Sequence, residues 1–393
     1  MSDFDQLPNE VVFHILRFLR AEDLAKTGCS CRRLHELSNM DSLWEALCRQ
    51  KYGLTSTEGW GENVTFYDIY SKVLHQYGNC LGLWRSDSTP YGLCAHLKQE
   101  KGELVARCLN FPKTEDVRDP LHWSRPVFRV TLKDGEGQVI CRKECTPSAV
   151  HLKRNENDKL EYKCDQCLAA VLTSSEEEVF SMWVNEARPD LDMSRPDLIF
   201  KGFSVARLTK LWSNCDLDEI PPAVQSPVSP IRLGLYKGTY GSHGIEIIKV
   251  SLSENGYELL GDKILGDPNV PAGKISLYVD LRKPIMLNDE REMHEFDFVN
   301  SLDPDPLPSP YCFPPNASQP FSLSDNIFMR DTQNLPRTCK ARYGGRGQIA
   351  AHGYNNPDTC RAQFIVFSED YFGFLWLDLT SFSVFRLAED DFS

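Results

Sequence analysis

The stretch Lys274-Ile275-Ser276-Leu277-Tyr278-Val279-Asp280-Leu281 decides the fold. Ile275, Leu277, Val279 and Leu281 fall on one side of an extended chain, and Ser276, Tyr278 and Asp280 on the other. A period of two predicts a strand in an antiparallel sheet with one face buried. Residues 81–84, 126–132, 244–252 and 364–387 also read as strands, their apolar runs alternating or β-branched, separated by Gly, Pro and Asp. Many short strands with such punctuation predict a sandwich or barrel. Residues 371–385 are dense in aromatics, and Gly373 or the Thr380-Ser381 pair marks a turn or bulge there. One helix is expected to interrupt the strands: Ser175 precedes three glutamates and then Val179, Phe180, Trp183 and Val184. Residues 221–230 and 301–320 are proline-rich and read as linkers or excursions.

The first fifty residues follow a different period. After Pro8 come Val11, Val12, Ile15, Leu16, Phe18 and Leu19, the stripe of an amphipathic helix. Glu22 and Asp23 open a second helix that ends near Gly28, and a third covers about 31–37. Ser42 and Glu45 have capping-box spacing ahead of a fourth, and Gly53 stops it. One helix cannot send all six stripe residues into so small an interior, so part of the stripe is left for a partner.

With 393 residues, the chain has room for two or three units at about 150 residues each. Its net charge of −13 argues against a whole-protein nucleic-acid binder. No apolar run approaches the ~18–20 residues of a membrane helix. The start MSDFDQLPNE has neither the basic region nor the apolar core of a signal peptide, which predicts a cytoplasmic or nuclear setting.

In a reducing compartment fourteen cysteines are not expected to be disulfides. Cys141-x3-Cys145 and Cys164-x2-Cys167 are two close pairs, and the segment between them returns as a hairpin. Such spacing suits a tetrahedral four-thiolate zinc site, structural because no position is left open. Basic Arg142, Lys143 and Lys163 offset its charge, and His151 is a substitute ligand. Cys29 and Cys31 read as small buried hydrophobes.

Leu7-Pro8-Asn9-Glu10-Val11, Ile15-Leu16, Phe18-Leu19, Asp23-Leu24, Cys31-Arg32-Arg33-Leu34 and Leu43-Trp44 with Leu47-Cys48 together closely resemble an F-box. The resemblance implies a small helical module that docks on the Skp-type adaptor of a cullin–RING ubiquitin ligase, helix laid in groove. Leu7, Pro8, Val11, Ile15, Leu16, Leu19 and Leu24 are the candidate adaptor contacts. The runs KGTYGSHGIEI, GDPNVPAG and FGFLWLDLTSFSVF extend the likeness, and the chain resembles the F-box only protein 31 family from the F-box nearly to its C-terminus. That family has a zinc site shared by cysteines and histidines; here Cys145 and Cys167 stand in place of histidines. The family further implies a barrel-like substrate domain that captures protein C-termini, including D-type cyclin tails and C-terminally amidated fragments.

A terminal amide presents donors as well as an acceptor, a carboxylate acceptors only. A pocket choosing the amide needs a fixed acceptor that repels a carboxylate. Asp267, in the turn-rich loop 266–273, and Asp280 are the candidates, with Tyr240, Ser242 and His243 supplying further hydrogen bonds. The chain thus reads as α+β: an N-terminal helical F-box (1–50), a helical link (51–80), and a mainly antiparallel, barrel-like substrate domain (81–393). That domain carries a zinc-stapled hairpin (141–167) and a proline-rich loop (301–320). The expected function is a non-catalytic substrate receptor bound to adaptor, cullin and RING subunits. Two rivals stand beside it. One is a lipocalin-like small-molecule barrel, from Gly82-x-Trp84. The other is a hydrolase using His243 or His352, for which no G-x-S-x-G elbow or Cys–His signature is present.

Overall fold

The computed structural model describes residues 6–86, 92–109, 116–123, 126–154, 159–167, 203–207, 229–240, 244–287, 305–308, 318–329 and 335–388. The expected helix at 175–184, residues Ser242 and His243, the linker at 221–228 and most of 301–320 lie outside these. The chain divides into two compact units.

The first unit begins with four helices, α1 Asn9–Leu16, α2 Ala21–Gly28, α3 Arg32–Ser38 and α4 Asp41–Tyr52. Helix α1 stops at Leu16, so Phe18 and Leu19 sit in the following turn and not on the helical stripe. Val12, Leu16, Leu24, Leu37, Leu43, Trp44 and Cys48 fill the interior. The capping box expected at Ser42 and Glu45 does not form. The Asp41 carboxylate accepts the N–H of Tyr67 at 3.1 Å, and the Trp44 indole donates to the Ser38 carbonyl at 2.9 Å. These contacts hold Asp41 as the first helical residue, with Met40 as N-cap. Gly53 ends α4 at φ 71°, the left-handed geometry a C-terminal glycine provides. Cys29 and Cys31 are exposed, contrary to the sequence expectation; the Cys31 sulfur accepts the N–H of Leu34 and so caps α3. Further helical turns run through Phe66–Ile69 and Tyr70–Leu74. Beyond them, Phe128–Lys133 pairs antiparallel with both Glu103–Cys108 and Glu136–Cys141, and Val150–Arg154 with Lys159–Cys164.

The second unit holds a closed barrel of eight strands, numbered here in chain order: β1 Gly234–Thr239, β2 Ile245–Leu252, β3 Glu258–Lys263, β4 Ile275–Pro284, β5 Ala341–Ala351, β6 Asn355–Ser368, β7 Tyr371–Trp376 and β8 Ser381–Leu387. Each pairs antiparallel with the next, and β8 closes on β1. Closure leaves no exposed sheet edge to manage. Leu277, Val279 and Leu281 of the deciding stretch join the barrel core with Phe364, Phe372, Phe374 and Phe385.

Two glycine-rich runs, 236–244 and 344–347, place glycines inside strands. A Cβ on Gly238 would sit 2.1 Å from the Phe385 ring, and one on Gly347 2.0 Å from the Trp376 ring. The missing side chains let aromatic rings lie across the strands. The β7–β8 turn falls at Thr380, φ 47°, whereas Gly373 lies within β7. Gly82-x-Trp84 lies on the strand Gly82–Ser86, which is not one of the barrel strands, so that lipocalin-like pattern does not open the barrel.

Candidate functional site

Three features carry chemistry: the cysteine cluster, the apolar surface of the first helices, and a cavity in the barrel.

Cys141 ends its strand and Cys145 follows a tight turn in which Glu144 has φ 54°. Cys164 ends its own strand, and Cys167 ends a helical turn just beyond it. The four sulfurs all lie within 4.8 Å of one another. Cys141 Sγ is 3.9 Å from Cys167 Sγ, and Cys145 Sγ 3.6 Å from it. Thiolates about 2.3 Å from a tetrahedral zinc are about 3.8 Å apart, so the set fits such an ion. The N–H of Cys145 donates to the Cys141 sulfur at 3.4 Å, orienting one donor. His151 lies elsewhere: its Nε2 is 2.9 Å from an Asp165 carboxylate oxygen. Lys163 also pairs with Asp165, at 2.6 Å.

The residues expected to face an adaptor separate by burial. Leu16 and Leu24 point into the module, and Leu7 and Leu19 are half-buried. Pro8, Val11 and Ile15 are exposed, the last two by 43% and 42%. Phe18, absent from the expected contacts, is 78% exposed. Its position just past the end of α1 is what a continuous helical stripe conceals.

In the barrel, a cavity of about 580 Å³ is lined by Tyr240, Lys263, Asp267, Val270, Ile349, Asp358, Trp376, Leu379 and Ser383, among others. It lies where the β8–β1 ladder runs out. Register pairs join only Phe385, Arg386 and Leu387 to β1, leaving Ser381 to Ser383 beyond it. The cavity floor is a charged cluster. Lys263, at the end of β3, is 1% exposed, with its ammonium 2.5 Å from Asp267, 2.6 Å from Glu246 and 4.2 Å from the Tyr240 ring centroid. Asp267 also accepts the N–H groups of Asn269 at 2.6 Å and Val270 at 2.8 Å. Burial opposes its ionisation, but the Lys263 ammonium and the hydrogen bonds outweigh it and hold the carboxyl at about 2. Glu246 moves the other way: burial, then the nearby Asp267 carboxylate, push it well above the ordinary carboxylate range despite Lys263. The Tyr240 hydroxyl bonds Ser276 at 2.8 Å, and the Trp376 indole donates to Ser383 at 3.0 Å, fixing two walls.

Of the residues expected to bind substrate, Tyr240 and Asp267 therefore meet in one cavity. Asp280 does not join them. It lies on the opposite face of β4 from the core residues, in a separate hollow, held by the Arg282 guanidinium at 3.0 Å through two hydrogen bonds. Lys263 and Glu246 were not singled out from sequence. The run Ile245-Glu246-Ile247-Ile248, a lone acid in an apolar strand, was the available signal.

Comparison with known proteins places both halves. Residues 4–50 match the family model described as F-box-like, and residues 217–391 the one described as Cyclin D1 binding domain. F-box only protein 31-A of Xenopus laevis is 30% identical over 98% of this chain and 84% of its own length. F-box only protein 31 of Rattus norvegicus is 29% identical over 98% and 85%, and that of Homo sapiens 28% over 98% and 83%.

Proposed function

The chain belongs to the F-box only protein 31 family, and from that premise we propose that it is the substrate receptor of an SCF-type cullin–RING ubiquitin ligase. In this reading residues 1–50 dock the Skp-type adaptor, residues 51–80 connect, and the remainder holds the target. The exposed Pro8, Val11, Ile15 and Phe18 supply an apolar face of the kind a helix-in-groove contact uses. The receptor makes and breaks no bonds; it raises the effective concentration of target lysines near the ubiquitin thioester. Its setting is cytoplasmic and nuclear; among the described residues no helix is long and apolar enough to cross a membrane.

The targets are proteins whose C-terminal tails enter the barrel cavity, D-type cyclin tails and amidated C-termini among them. The observation that carries this is the cavity floor. Asp267 is a fixed, ionised acceptor there, and Lys263 is the only cation among the described lining residues. A terminal amide can donate to Asp267, whereas a carboxylate meets its charge. Cys141, Cys145, Cys164 and Cys167 hold one structural zinc, which ties the strand ending at Cys141 to the hairpin ending at Cys164.

The test is a panel of tail peptides with matched amide and acid ends, bound to the full chain. Binding of the amide-ended set, competed by free amide-ended peptide and weakened in Asp267→Asn, is the expected result. Failure of both sets to bind would refute the tail-pocket reading.

A further inference from the structure

Lys263 poses a question for this pocket. A buried ammonium in a tail-binding cavity is the natural anchor for a terminal carboxylate. Here its surroundings are already taken. The ammonium lies between Asp267 at 2.5 Å and Glu246 at 2.6 Å, and beneath the Tyr240 ring at 4.2 Å. An ammonium has three donor hydrogens, and three neighbours face it. Two of those neighbours belong to the cavity lining; Glu246 lies behind it, 1% exposed on β2. Oε2 of Glu246 lies 2.6 Å from the ammonium, and the Glu246 carboxyl also meets the Asp267 carboxylate, the other partner of Lys263. A carboxyl placed at such cost in desolvation needs a purpose beyond packing. Val or Ile would suit this strand better, as its neighbours Ile245, Ile247 and Ile248 do.

We infer that Glu246 is a positioning residue for tail selection: it draws the Lys263 ammonium to the back of the cavity and so withholds it from an incoming carboxylate. The inference rests on the tail-pocket reading above and deepens it. Among the described lining residues the pocket offers a ligand the Asp267 carboxylate and no cation other than the paired Lys263. Removing the Glu246 oxygens frees one face of the ammonium and shifts the preference toward acid-ended tails. The identity of the oxygen matters and its charge does not, because a carboxyl, a carboxylate and an amide all present an acceptor to Lys263.

The experiment measures matched amide- and acid-ended peptides against the full chain as wild type, Glu246→Val and Glu246→Gln, with thermal unfolding of each. In E246V the acid-to-amide affinity ratio is expected to rise at least tenfold. In E246Q the wild-type ratio is expected to persist. A role in packing alone would weaken both peptides together and leave the ratio unchanged in E246V, and that result overturns the inference. Should E246V not fold, Lys263→Met carries the test. Loss of acid-end binding by tenfold with amide-end binding intact would show that the ammonium receives the carboxylate, against the inference; an unchanged acid-end affinity supports it. If wild type binds neither peptide, the tail-pocket reading falls first and the inference with it. Amide binding by wild type with an unmoved ratio in a folded E246V defeats the inference alone.

Discussion

Asp267→Asn is expected to destabilise the barrel by about 2 kcal/mol at neutral pH. Asp267 is 4% exposed and its carboxyl is held down from the ordinary 3.8 to about 2. At ~1.4 kcal/mol per pKa unit, that drop corresponds to about 2 kcal/mol of native-state stabilisation. Stripping the counter-ion from a buried ammonium commonly costs more, about 3–5 kcal/mol. The smaller figure applies because Glu246, 2.6 Å from the same ammonium, can ionise in place of Asp267. Asparagine also keeps an oxygen for the N–H groups of Asn269 and Val270. The pH dependence has a definite sign. A folded-state pKa below the unfolded one gives stability that is fully present above about pH 4 and lost as the pH falls toward 2. Urea unfolding, followed by tryptophan fluorescence at a series of pH values, measures both quantities. Wild type should show this acid-side loss and D267N should lack it. A change below about 0.5 kcal/mol at pH 7 would mean that the Lys263–Asp267 pair is not held as described. A loss above about 4 kcal/mol would mean that Glu246 does not substitute.

Two further outcomes follow from the same geometry. Metal analysis of chain purified without chelator should give close to one zinc per chain, and Cys164→Ser should abolish it; zinc-free wild type would remove the site assigned to the four sulfurs. Gly347→Ala should lower stability by about 1–3 kcal/mol, because its Cβ would fall 2.0 Å from the Trp376 ring; a melting point equal to wild type would contradict the packing of β5 against Trp376.

The stretch 277–281 is legible because Leu277, Val279 and Leu281 enter the core while Tyr278 and Asp280 stay half-buried on the other face; the period fails at its start, where Ser276 is fully buried and Ile275 only half-buried beside the register shift at Gly261/Asp262. The cysteine pairs were legible for a similar reason: their spacing is local, and the strand ends and turn that gather the sulfurs lie within a few residues of them. The charged floor of the cavity was only half legible. Asp267 stood out in its Pro/Gly loop, but its partners come from β2 and β3, and a Lys at a strand end ordinarily reads as solvated. Their burial depends on barrel closure, which no local pattern encodes. Gly238 and Gly347 lie in extended strands, where the missing side chains make room for Phe385 and Trp376, a cross-strand relation no local pattern encodes. At the N-terminus the helical period overran α1, because Phe18 and Leu19 continue the apolar spacing after the helix has ended at Leu16.

Whether the first helices hold this chain in a ubiquitin ligase is read from capture on purified Skp-type adaptor. The full chain should co-elute with the adaptor as a stable complex. The double variant Val11→Asp, Ile15→Asp, which alters only exposed side chains of α1, should lose capture while its melting temperature stays within a few degrees of wild type. A wild-type chain that does not bind the adaptor, or a folded double variant that binds undiminished, would contradict the account.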